Sequence, residues 1–125
     1  HPEHFRRNCG LVLWKNGYDG MMQYAYRHGF DHVWNDFDGV RRDHSFVLPV
    51  KGGLIDTIAW EGFREGVDDT RYVAALQGEI KKARRSNLAK QAKEFLREIH
   101  LAAITDEVRA KIVGEILRLR TDGRN

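Results

Sequence analysis

Residues 55–76 read IDTIAWEGFREGVDDTRYVAAL, and the spacing within them decides how the chain folds. Apolar or small residues recur at Ile55, Ile58, Ala59, Gly62, Phe63, Gly66 and Val67. Steps of three and four residues put them on one face of a helix. Two members are glycine, which costs about 1 kcal/mol relative to alanine inside a helix. A helix without side chains at those points lies directly against its neighbour, and close approach is the expected benefit. On the opposite face, Glu61 with Arg64 and Arg64 with Asp68 have intrahelical ion-pair spacing. Gly66 predicts a kink, after which Asp68 or Asp69 caps a second helix with Val73, Leu76, Ile80 and Ala83 on its core face.

Working upstream, Gly52-Gly53 delivers the chain to this helix, and Asp56 or Thr57 is its expected cap. Residues 28–51 are irregular, polar and aromatic, longer than an ordinary structureless connection, and read as a functional loop. Before them, residues 21–27 read as a strand. Met22, Tyr24 and Tyr26 point to one side and Met21, Gln23, Ala25 and Arg27 to the other, with no charge before Arg27. Such a strand is covered on both faces, as in a parallel sheet or barrel. Residues 45–48 are the one other strand candidate. At the N-terminus, Pro2 suits a first helical turn, Phe5, Cys9, Val12 and Leu13 give a buried stripe, and Asn16-Gly17 stops the helix.

Downstream the pattern is helical throughout. Asn87 caps a helix with Leu88, Ala92, Phe95, Leu96 and Ile99 on one face. Thr105, followed by Asp106 and Glu107, starts another carrying Val108, Ile112, Ile116 and Leu119. These helices read as an extension packed on the outside of the domain. Residues 79–125 hold twelve Lys/Arg against seven Asp/Glu, but the charges interleave and lack aromatic companions. A solvated helical face accounts for them better than a nucleic-acid surface, and no nucleic-acid partner is expected. No run approaches the ~18 apolar residues of a membrane span, so no membrane partner is expected either. Cys9, the single cysteine, excludes an internal disulfide.

Residues 60–69, WEGFREGVDD, followed by Arg71-Tyr72, resemble the E-x-x-R-D/E-G-I/V-x-D-x-x-Y signature near the C-terminus of certain barrel glycoside hydrolases. These are glycoside hydrolase family 123, the β-N-acetylgalactosaminidases, and relatives sharing their C-terminal barrel portion. Residues 10–26, GLVLWKNGYDGMMQYAY, are similar to the segment running from the penultimate barrel helix into the last strand. The resemblance covers residues 3–85. It implies an α/β fold class, the C-terminal fragment of a (β/α)8 barrel with one or two strands, mostly α by residue count. Residues 1–85 would be the barrel end and residues 86–125 the helical extension. The family is thought to use an adjacent Asp-Glu pair on an earlier strand, with the substrate acetamido group as nucleophile. No Asp-Glu pair precedes residue 21 here. The catalytic acids are therefore expected upstream of His1, and the chain alone is expected to be inactive.

In such a barrel the loop after the last strand lies at the active-site mouth. Tyr26 and Trp34 offer apolar ring faces to a sugar, while Asp36, Asp38, Arg41 and Asp43 offer hydrogen bonds to hydroxyls. The competing reading is that Trp34 and Phe37 pin the loop and the charges face water. Asp36 and Asp38 could also form a carboxylate pair for hydrolysis, but the resemblance argues against it. His28 and His32 have metal-binding helical spacing, with Asp36, Asp43 and His44 near. Gly29 weakens that helix and no Glu sits between the histidines, so neither metal nor cofactor is expected. The chain thus reads as the closing, substrate-contacting end of a carbohydrate-active enzyme. The alternative is a small helical protein- or nucleic-acid-binding module. A module would close its own core, whereas a barrel end would leave the edges of residues 21–27 unpaired and the isolated chain prone to self-association.

Overall fold

A computed structural model describes residues 2–23, 26–27, 34, 45–83, 87–101 and 105–122. Helix α1 (Pro2–Arg7) runs through a π-helical turn (Asn8–Val12) into the short α2 (Leu13–Lys15). Asn16 and Gly17 end it, with Gly17 at φ +73°, where a side chain would be strained. Strands β1 (Val47–Val50) and β2 (Gly53–Asp56) form an antiparallel hairpin that sets Val47 opposite Asp56 and Val50 opposite Gly53. Helices α3 (Ile58–Lys82), α4 (Asn87–Glu98) and α5 (Thr105–Asp122) complete the chain. Helix makes up 71% of the described residues and the hairpin is their only sheet, so the fold is α-dominant.

The core forms where α3, α4 and α5 turn their apolar stripes inward. Val73 and Leu76 meet Ala92, Leu96 and Ile112, and Leu11 reaches in from the N-terminal helix. The residues beyond 85 supply eight of the eleven buried apolar residues of this cluster, seven of them in α4 and α5, so these helices are integral to it. Of the stripe expected for α4, Ala92, Leu96 and Ile99 are buried and Leu88 and Phe95 are half-buried against the core, while Val108, Ile112, Ile116 and Leu119 of the α5 stripe are all buried.

Four local expectations need correction. Residues 21–23 carry no regular structure and Tyr26 and Arg27 form a bend, so the described part of the expected strand is not a strand. Among the described residues no neighbouring strand offers it a ladder; the Tyr26 carbonyl accepts from the Phe46 and Val47 amides at 2.9 and 3.3 Å. The 45–48 candidate becomes β1, two residues later, paired to its own hairpin partner. The organising helix starts at Ile58 rather than near Ile55, because Thr57 caps it and residues 53–56 extend to pair with β1. Ile55 and Ile58 consequently stay exposed. Finally, α3 is unbroken from Ile58 to Lys82. Neither Asp68 nor Asp69 caps a second helix, because Asp68 pairs with Arg71 at 2.8 Å and Asp69 is buried against two arginines. Arg64 keeps its expected bond to Glu61 but has none to Asp68.

The buried residues of α3 are Gly62, Gly66, Asp69, Val73 and Leu76, alternating by four and three. Along this line α1 and the π-helical turn lie against α3. A Cβ on Gly10 would sit 2.7 Å from the Gly66 carbonyl oxygen, and one on Gly66 would sit 2.6 Å from that of Arg6. These are backbone atoms, which no rotamer change can move aside. Gly66→Ala is therefore expected to destabilise the chain by about 1–3 kcal/mol despite alanine's better helix propensity. Gly114→Ala, where a Cβ meets nothing within 4 Å, should stabilise it by about 0.5–1 kcal/mol. Urea denaturation of the two variants reads the contrast; equal midpoints would show that the backbones separate at no cost.

Candidate functional site

Residues of interest gather where the hairpin meets the first turns of α3. Thr57 organises the junction: its hydroxyl accepts from the Trp60 amide at 3.3 Å and donates to the Phe46 carbonyl at 2.8 Å. Its own amide donates to the same carbonyl at 2.9 Å. Phe46 is thereby driven inward, where its ring meets Phe5, Trp60 and Phe63 at centroid distances of 5.9, 5.6 and 5.4 Å. Trp60 and Phe63 stack at 5.6 Å, and Tyr26 stands edge-on to Trp60 at 5.5 Å. Each such pair contributes about 0.5–1.5 kcal/mol beyond its buried area.

Two of the residues expected to contact a ligand are tied to this junction. Tyr26 is held through its carbonyl by β1 and through its ring edge by Trp60, yet it is 51% exposed. Trp34 donates from Nε1 to the Pro49 carbonyl at 3.2 Å and is 59% exposed. Both rings are thus anchored at one point and open to solvent elsewhere. Around them Val50, Leu54, Ile55 and Ile58 of the hairpin and α3 are also exposed. Asp36, Asp38, Arg41 and Asp43 lie outside the described residues, as do His28, His32 and His44. Among the described residues no cluster of three His, Cys, Asp or Glu is placed to hold a metal ion. No described helix is long and apolar enough to cross a membrane. Burial pushes the Cys9 thiol pKa up, away from a reactive thiolate.

A charged cluster lies along the same helix, one turn beyond Gly66. Asp69 is 1% exposed and accepts from Arg6 twice, Nε to Oδ2 at 2.8 Å and Nη2 to Oδ1 at 3.2 Å. Arg109 adds a bond from Nε at 2.5 Å, donates to the Glu65 carbonyl at 2.8 Å, and lies 5.4 Å from the Tyr72 ring centre. Arg6 also reaches Asp106 at 2.6 Å. Burial alone would lower the pKa of both guanidinium groups; hydrogen bonds and charge from Asp69, with Asp106 for Arg6 and Glu65 for Arg109, outweigh it and raise them. The hydrogen bond and charge of Arg6 hold the Asp106 carboxyl below its ordinary range.

The buried Asp69 carboxylate is committed to three hydrogen bonds from two arginines of the same chain. The cluster is a clamp joining α1, α3 and α5. Arg6 and Arg109 were not singled out by the sequence reading. The available signal was a charge standing at a buried position of the Gly62, Gly66, Asp69, Val73 series.

Comparison with protein-family models, curated proteins and solved structures finds no match for the chain.

Asp69→Ala leaves Arg6 and Arg109 without their shared partner, and breaking a buried pair from one side costs about 3–5 kcal/mol. Urea denaturation at neutral pH should show that loss, and a change below 1 kcal/mol would make the cluster incidental. Because the Asp106 pKa is lowered on folding, its smaller contribution is present at neutral pH. It should fade as pH falls below the ordinary aspartate value of about 3.9 toward the lower folded value.

Proposed function

We propose that this chain is the C-terminal, non-catalytic end of a carbohydrate-active glycoside hydrolase of the family 123 type. In this reading it closes a (β/α)8 barrel and lends aromatic faces to the substrate. The observation that carries the proposal is the pair Tyr26 and Trp34, both anchored to one hairpin and both with more than half of their surface open. Sugar sites use such rings: a pyranose presents axial C–H groups to an aromatic face, while polar neighbours hold its hydroxyls. Asp36, Asp38, Arg41 and Asp43 are the polar neighbours proposed on sequence grounds. The exposed Val50, Leu54, Ile55 and Ile58 supply an apolar edge on which the rest of a barrel would rest. The catalytic carboxylates belong to another part of the parent protein.

A second reading has its own supporting observation. The helical core is closed by the chain's own α3, α4 and α5, as a self-sufficient binding module would close it.

Kinetics of the intact parent protein on an aryl N-acetylhexosaminide separates the two. Trp34→Ala and Asp36→Ala are each expected to raise KM by about tenfold while leaving kcat nearly unchanged, the signature of lost uniform binding. A kcat collapse for Asp36→Ala with the fold intact would move catalysis into this chain. No change from either substitution would favour the binding module.

A further inference from the structure

A groove of about 810 Å³ opens between the C-terminal half of α3 and α4, with α2 at one end. Its floor is apolar, made by Trp14, Ile80 and Leu96, all packed on the helical core. Its rim carries the exposed lysines Lys81, Lys90 and Lys93. From Phe63 to Ile80 the rise along α3 is about 25 Å, so the groove is remote from the aromatic junction.

The lysines differ from most cations on the surrounding helix faces. Arg64, Arg71, Lys82, Arg97 and Arg118 each pair with an acid three residues earlier. Three residues before Lys81 stands Gly78, before Lys90 stands Asn87, and before Lys93 stands Lys90. None of the three has a partner among the described residues. The nearby acid Glu79 is taken by Lys82 and Arg120, and Glu94 by Arg97. Lys90 and Lys93 moreover repel each other at i, i+3 spacing, a small cost that a bound anion would turn into a gain.

We propose that this groove binds a small anionic amphiphile, a molecule with an apolar body and a carboxylate or similar acid head. The body lies on Trp14, Ile80 and Leu96, and the head is met by Lys81, Lys90 and Lys93. The volume falls within the range of small-ligand sites, about 300–1,000 Å³. One aromatic ring offers no stacking series for single-stranded nucleic acid. The site rests on neither reading of the parent protein's function.

Decanoate, kept below its micelle-forming concentration, is the probe, with amide NMR of the 125-residue chain as the readout. Saturable shifts are expected at α2, the last turns of α3, and α4. The double substitution Lys90→Glu with Lys93→Glu should weaken binding by about tenfold or more, and Lys90→Gln with Lys93→Gln by less. Decyltrimethylammonium, with the same tail and the opposite charge, should bind at least about tenfold more weakly than decanoate. Shifts centred on the hairpin, equal binding of both detergents, or unchanged affinity in the charge-reversed variant would overturn the proposal. So would an acidic amphipathic peptide that shifts these amides where decanoate does not, which would make the groove a peptide-docking surface.

Discussion

The contact between Gly10 and Gly66 sets the geometry of everything around it. Two backbones meet with no side chain between them, at a separation where even a methyl group would overlap main-chain atoms. That approach draws the N-terminal helix onto α3 and brings Arg6 within reach of Asp69. It also sets Phe5 against Phe46 beneath the hairpin. The π-helical turn at Asn8–Val12 sits at this crossing and carries Gly10 in its centre. One extra residue in the turn shifts the register of the helix on either side. Arg6 then faces Asp69 from before the turn, and Leu11 enters the core from within it.

The arginine clamp acts on this arrangement as a constraint more than as a source of net stability. Burying a charged pair costs desolvation that its attraction only roughly offsets, whereas leaving one member unpaired costs several kcal/mol. Asp69 can be satisfied only when α1 and α5 approach α3 together, since Arg6 comes from one and Arg109 from the other. Thr105 adds a tie between the same two outer helices, donating to Glu3 at 2.6 Å. Lys15 does the same for α2 by donating to the Ile99 carbonyl. With these ties made, one end of α3 holds the aromatic junction and the other walls the cationic groove.

Much of this was legible from residue spacing. The stripes of α4 and α5 are amphipathic, begin at recognisable polar residues, and pack as their periodicity directs. The stop at Asn16-Gly17 and the pairing of Glu61 with Arg64 follow from local chemistry alone. What failed depended on partners distant in sequence. Residues 21–27 have strand composition, but the described ones, 21–23 and 26–27, are not a strand, and β1 pairs with β2. Ile55 has the spacing of the α3 face, yet the cap at Thr57 and the hairpin register keep it extended. Asp69 looks like a cap until arginines 63 residues before it and 40 after it converge on its carboxylate. At the candidate site, Tyr26 and Trp34 could be chosen for their rings, but their common anchoring on the hairpin could not be read from spacing.

Native-state hydrogen exchange of the 125-residue chain tests most directly whether the Gly10–Gly66 contact and the clamp unite the helices. If they do, amides of the N-terminal helix should exchange with the same opening free energy as those of α3 between Gly62 and Leu76 and of α5 around Arg109. All should track global unfolding. Exchange of the N-terminal helix at much lower free energy, with α3 and α5 still protected, would contradict the account. That result would show the first helix to be a detachable segment on a bundle that stands without it.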